Sequence, residues 1–292
     1  MVRQASPGRI VARVATAAAA ALLTACSASP APSAHGSSPE PLTPASLSHA
    51  LPPDPVRMVL PATGAETRWT QGLDVFVRQV GRTVEASCAR QQGIALPAQA
   101  PLAFIRYYDL PDLDFIARHG TSESAPVPTP SARPAVAARA GSPAAINRCR
   151  TEGRTAADAL RGTYAELQGQ WFGEVASLRR DPHTLRALRT LSRCLAGHGI
   201  QARDENAFFA LSDARMQTAA PAELAGAERE VGRAYADCMR PVEAVREPAR
   251  LRLRARFLAD HADEIRELRR TLVPLLHRAE EQHGVRLAFP AP

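Results

Sequence analysis

The sequence predicts an all-α protein: a helical bundle with a long C-terminal helix, two proline-rich interruptions and two disulfides. Three observations predict it. Apolar residues recur at steps of three and four over long stretches, no comparable run of alternating β-branched residues occurs, and two stretches of Pro, Ala and Ser carry no apolar periodicity. With 45% hydrophobic and 22% charged residues in 292, the composition excludes both full disorder and a multi-span membrane protein.

The elements follow in order from the N-terminus. Arg3, Arg9 and Arg13 precede an apolar stretch from Val14 to Leu23, which ends in Leu23-Thr24-Ala25-Cys26. That is the pattern of a lipoprotein signal peptide over residues 1–25, with small residues before the cut and a thiol after it. Cys26 is then the first mature residue, the lipidation site, and the membrane partner is reached through its diacylglyceryl anchor. An uncleaved membrane helix is excluded because a span takes ~20 apolar residues. Two acyl chains on one residue give stable anchoring, each buried methylene contributing ~0.8 kcal/mol. Residues 26–55 read as a Pro/Ser/Ala-rich tether, and residues 56–292 as a helical ectodomain on the extracellular side of the cell membrane.

Within the ectodomain, Trp69, Leu73, Phe76, Val80, Val84 and Cys88 share one face of a helix over 66–92, which Gly93 stops. Residues 97–119 carry Phe104, Ile105, Tyr107 and Tyr108 between prolines, then a short helix over 112–118, and read as a docking loop. Residues 121–143 are low in complexity and are expected to form a mobile surface excursion. Leu160, Tyr164, Leu167, Trp171, Val175 and Leu178 predict one helix over 155–180. Asp181-Pro182 opens another, which carries Leu185, Leu188, Leu191 and Leu195 and ends at Gly197 or Gly199. Asp204 caps a shorter helix bearing Phe208 and Leu211, and Pro221 opens one with Leu224, Ala227, Val231, Tyr235 and Cys238 on a face. The last helix is expected over 248–282, spanning ~50 Å at 1.5 Å per residue, with a kink at Pro274.

The formal charge of +7 does not point to nucleic acid. All 36 basic residues are Arg, and the three in the signal peptide face no acid there, so removing them leaves 33 basic against 29 acidic residues, or +4. No nucleic-acid partner is expected of so mildly basic a chain.

Cys88, Cys149, Cys194 and Cys238 remain beside the lipidated Cys26, an even number for which disulfides are the default outside the cytoplasm. An internal echo orders them. Cys88 and Cys194 each end a predicted helix and are each followed by Gly-Ile, at Gly93-Ile94 and Gly199-Ile200, while Cys149 and Cys238 each lie on the next substantial helical region. A duplicated helix-loop-helix stapled within each copy predicts Cys88 with Cys149 and Cys194 with Cys238.

These features resemble a group of predicted lipoproteins from high-GC Gram-positive actinobacteria. The residues that carry the resemblance are Leu23 to Cys26, Cys88 to Ile94, Arg106-Tyr107-Tyr108, Ala117-Arg118-His119-Gly120, Cys194 to Ile200 and Asp237-Cys238-Met239. The resemblance implies the location and the helical fold, and an association with transport or the cell wall. It supplies no catalytic residues.

Chemistry-bearing motifs are sparse. Asp260, His261, Asp263 and Glu264 form the best enzyme-like cluster, with His261 and Glu264 on one helix face, and His277, Glu280, Glu281 and His283 form another. Arg-rich and acid-rich positions on a long helix more often make a solvated face of i,i+4 ion pairs. No catalytic residue, metal ligand or cofactor is assigned. Trp69 and Trp171 lie on apolar stripes and read as core, whereas Tyr107 and Tyr108 lie between stripes and are the candidate binding residues. The leading expectation is a non-enzymatic binding or accessory module for an envelope protein or cell-wall partner. The alternative is an extracytoplasmic hydrolase or metal-binding enzyme built on Asp260, His261 and Glu264.

Overall fold

The computed structural model describes residues 45–121, 125–128 and 139–291. The signal peptide, Cys26 and the tether up to residue 44 lie outside the described residues, as do 122–124 and 129–138 of the low-complexity stretch. Helices dominate. They are α1 (Val56–Val59), α2 (Thr67–Gln91), α3 (Leu113–His119), α4 (Pro143–Arg161), α5 (Ala165–Ser177), α6 (Pro182–Leu188), α7 (Leu191–Gly197), α8 (Glu205–Thr218), α9 (Pro221–Asp260) and α10 (Ala262–His283). Two short strand pairs complete the described fold. The strands β1 (Ser46–Ser48) and β4 (Phe289–Ala291) run antiparallel, while β2 (Ile94–Ala95) and β3 (Arg139–Ala140) run parallel.

The α2 stripe folds as its spacing dictates. A capping box at Thr63 and Glu66 starts the chain into the helix, Leu73, Phe76, Val77 and Val80 are buried, and Gly93 ends it in the left-handed region at φ +62°. Across from α2 lies α4, and the two approach so closely at Gly81 and Gly153 that a Cβ on Gly153 would sit 2.5 Å from the Gly81 carbonyl oxygen. Valine gains little helix propensity over glycine, so the clash decides. Gly153→Val is expected to lower stability by about 1–3 kcal/mol in urea unfolding, and an unchanged midpoint would show that α2 and α4 separate without cost.

The expected helix over 155–180 is two helices. Thr163 Oγ1 donates to the Leu160 carbonyl at 2.8 Å, taking the acceptor that a continuing helix would use, and the chain turns at Gly162 to Tyr164 before α5 begins. Leu160, Tyr164, Leu167, Trp171 and Val175 nevertheless face one core, because the turn keeps both helices on the same side. The helix opened by Asp181-Pro182 is likewise divided. Thr190 Oγ1 bonds the Ala187 carbonyl at 2.8 Å between α6 and α7, which leaves Leu185 exposed while Leu191 and Leu195 are buried.

The C-terminal region departs most from expectation. Instead of starting at Pro248, α9 runs 40 residues from Pro221 through both Pro241 and Pro248. Packing on both sides of the prolines holds it: Tyr235, Met239 and Val242 are fully buried in one core, and Phe257 lies in the other. The break comes at His261, and α10 then runs through Pro274 to a left-handed Gly284. Residues 45–55, expected as tether, belong to the fold. β1 pairs with β4, His49 Nδ1 lies 2.6 Å from the Leu287 carbonyl oxygen, and Asp54 pairs with Arg269 at 2.8 Å. Described parts of the 121–143 stretch are also docked, Pro128 accepting from Gln79 Nε2 at 2.7 Å and β3 pairing with β2.

Two main apolar clusters result. One gathers α2, α5, α9 and α10 around Phe76, Trp171, Phe257 and Leu272, with Trp171 Nε1 donating to the Pro61 carbonyl at 2.9 Å. The other gathers α3, α7, α8 and α9 around Leu195, Phe208 and Tyr235. Arg250 is buried to 1% exposure on α9, where it ties the chain around Ala62 and Asp109 to that helix.

Candidate binding cleft

The loop expected to dock begins with an alternating run. Phe104 and Leu110 are buried and hold it to the body, while Ile105 and Tyr108 point outward at 50% and 53% exposure. Asp112 then caps α3 by accepting from Phe115 N–H at 3.1 Å, and α3 ends at Gly120 with φ +79°. This hairpin-like path brings Arg106 back onto its own end, where Nη1 donates to the Gly120 carbonyl. Arg106 also lies 5.6 Å over the Phe115 ring, and Arg68 lies 5.7 Å from the same ring while pairing with Asp112.

Beside Arg106 is a narrow cleft walled by Tyr107, Tyr108, Leu110, Phe115 and Phe209, with Pro290 of β4 contributing. A more open and roomier groove adjoins it and shares Tyr108, Thr121 and Phe209. The walls are mostly apolar and the polar groups few, the usual balance of a small-ligand site. Burial pulls the Arg106 guanidinium down to about 10, against the opposing pull of the Glu228 carboxylate. Its Nε and Nη2 are buried and have no hydrogen-bond partner among the described residues.

The two candidate tyrosines have different roles. Tyr107 is half-buried, stacked on Phe172 at 5.3 Å with rings 4° from parallel, and burial raises its hydroxyl well above the usual range. Its ring is largely a core contact that closes one wall. Tyr108 is exposed, 4.2 Å from the Phe209 ring, and stands between cleft and groove. Phe209 was not among the residues singled out from sequence, and Arg106 entered only through the resemblance, not as a candidate binding residue. Signals for both exist: Arg106 directly precedes the tyrosine pair, and Phe209 follows the core residue Phe208 and so falls off its helical stripe.

Both expected disulfides form, Cys88 with Cys149 at a Cα separation of 5.4 Å and Cys194 with Cys238 at 5.5 Å. Cys26 lies outside the described residues. The acidic and histidine cluster of the C-terminal region sits where α9 gives way to α10. The His261 ring lies 4.3 Å from the Phe257 ring, tilted by 33°, with Nδ1 3.6 Å from Glu264 Oε1, Asp263 pairs with Arg266 at 2.7 Å, and Asp260 is exposed. In the second cluster, Glu280 accepts from Leu287 N–H at 2.8 Å and burial lowers His283. Among the described residues, three metal-ligating types converge elsewhere, at Cys194, His198 and Cys238, whose ligand atoms lie within 4.8 Å of one another; two of these three are joined as a disulfide. No family model matches the chain, nor does any curated protein or solved structure.

Proposed function

We propose that this protein is a lipid-anchored extracytoplasmic envelope protein that acts as a non-enzymatic binding module, associated with a transporter or with the cell wall. The observation that carries the binding reading is the aromatic cleft beside Arg106, built on a loop held at both ends by buried residues. Leu23-Thr24-Ala25-Cys26 supports the anchor, and two disulfides are compatible with an oxidising compartment. No helix of the described residues is long and apolar enough to cross a membrane.

Cys26→Ser is expected to leave an unprocessed or mislocalised precursor in membrane fractionation, because no later residue can take the lipid; equal membrane retention of a processed variant would remove the anchor. Binding is tested by a photocrosslinking residue at position 108 in the native envelope. A recurring envelope partner supports the module. A divalent ion retained through purification and lost on His261→Ala would replace it with the enzyme reading.

A further inference from the structure

Charge is unevenly placed along the chain. From Cys26 onward there are 33 Arg and 29 acidic residues, and five of those Arg against one acid fall within residues 178–198, which leaves 28 of each in all the rest. The whole surplus of +4 therefore comes from 21 residues. They form the turn at Leu178–Arg180, then α6 and α7.

The surplus lies on one face. Arg189 and Thr190, between the two helices, keep right-handed helical angles with φ −63° and −83°, so Arg186, Arg189 and Arg193, spaced by three and four, line up along one side of the path. All three are exposed, whereas Thr184, Leu191 and Leu195 on the opposite side are buried. At 1.5 Å per residue the row is ~10 Å long. Arg180, just ahead of it, is exposed as well. Among the described residues none of these four pairs with a carboxylate: Asp109 is taken by Arg179, and the side-chain partner of Arg186 is the His183 ring, 2.8 Å from Nη2 to Nδ1. The single acid, Asp181, is occupied at the start of α6, accepting from Thr184 N–H at 2.8 Å.

A row of unpaired guanidiniums suits phosphate, whose oxygens accept the parallel N–H donors of each. Leu185 decides between a lipid and a soluble polyanion. It lies in the same row, one turn before Arg189, at 47% exposure. An apolar side chain among cations gains by entering a headgroup layer, and a soluble polymer offers it no such medium. Reach agrees, since the 18 residues between Cys26 and Ala45 span at most about 60 Å and confine the fold near a bilayer that holds Cys26.

We propose that the α6–α7 face docks on an anionic phospholipid surface, with Arg186, Arg189 and Arg193 on lipid phosphates and Leu185 among the headgroups. This extends the anchor reading above: acyl chains hold the terminus, and the basic face holds the body of the protein to the same membrane.

The test holds the mature lipoprotein in phosphatidylcholine nanodiscs and offers it vesicles of phosphatidylcholine, alone or with phosphatidylglycerol, the captured protein being read by flotation. Each arginine near an anionic surface contributes about fivefold in affinity, so the anionic vesicles are expected to bind about a hundredfold more tightly than the neutral ones. The difference is expected to vanish at about 1 M salt, where charges are screened within about 3 Å. Replacing Arg186, Arg189 and Arg193 together by Gln is expected to abolish it. Arg148→Gln, Arg154→Gln and Arg278→Gln together remove three exposed arginines elsewhere and are expected to keep most of it. Equal capture by both vesicles, capture unchanged by salt, or equal loss in the two triple variants would overturn the proposal. Binding of soluble poly(glycerol phosphate) without binding of anionic vesicles would overturn it in favour of a wall polymer. The lipid and salt comparisons need no variant, so they decide even if a triple variant does not fold. Protein that does not stay with the nanodiscs overturns the anchor reading instead, and the same vesicles then decide the face on the chain in solution.

Discussion

Arg250→Met is expected to destabilise the protein by about 3–5 kcal/mol, the range for removing one partner of a buried ion pair. Arg250 Nε donates to the Ala62 carbonyl at 2.8 Å, Nη1 to the Asp109 carbonyl at 3.2 Å, and Nη2 to Glu243. Methionine fills much of the volume but serves none of these acceptors. Glu243 would be left with Arg246 at 3.5 Å, which is itself engaged at 3.1 Å by Glu205, the acceptor of the Tyr235 hydroxyl. The loss would therefore pass along α9 from one apolar cluster toward the other. Adding Glu243→Leu is expected to restore a substantial part of it, because the orphaned carboxylate goes with its partner. Urea unfolding of both variants is the check, and a double variant no more stable than Arg250→Met would place the cost in the backbone carbonyls alone.

Removing the second bridge with Cys194→Ser and Cys238→Ser is expected to cost about 4 kcal/mol by loop-closure entropy, while Cys88 to Cys149 still forms. The two bridges close sequence separations of 61 and 44 residues, so the entropic terms are similar. Their accessibility is not. Cys149 is fully buried and Cys88 is 5% exposed, whereas Cys194 is only partly buried, so mild reductant should open the second bridge first. Non-reducing peptide mapping reads both outcomes. A peptide linking Cys88 to Cys194 or Cys238 would overturn the pairing, and prior reduction of Cys88 with Cys149 would overturn the ordering.

The disulfide pairing was legible because its signal is local. Gly93 and Gly199 both have positive φ, at +62° and +76°, so the repeated Gly-Ile after each first cysteine marks a repeated helix end. The apolar stripes were legible for the same reason, and they place Phe76, Trp171, Leu195 and Tyr235 in the core, whereas Met58, Leu60, Leu110 and Phe289 are buried without belonging to a stripe. Helix limits were not. A hydroxyl at Thr163 or Thr190 looks in sequence like any helix threonine until it takes a carbonyl from the last turn, and Pro248 looks like a start until tertiary packing carries a helix through it. Pairing of Ser46 with Ala291 is beyond local pattern, since Ser-Leu-Ser has one apolar residue and its partner is at the far end of the chain. In the cleft, Tyr108 stood out by lying off the stripes. The unserved edge of Arg106 could not, because it depends on α3 returning Gly120 to one end of the guanidinium while the other is buried without an acceptor among the described residues.

Consecutive pairing of the four cysteines also sets an order in time. For a chain threaded across a membrane N-terminus first, Cys149 is the first thiol to arrive after Cys88, and Cys238 the first after Cys194. With Cys26 lipidated, Cys88 thus meets its native partner before either later cysteine has emerged, and once that bridge has closed Cys194 meets no other free thiol before Cys238. The two covalent loops lie side by side along the chain and neither encloses the other, so oxidation can keep pace with translocation without reshuffling, which is otherwise a slow step.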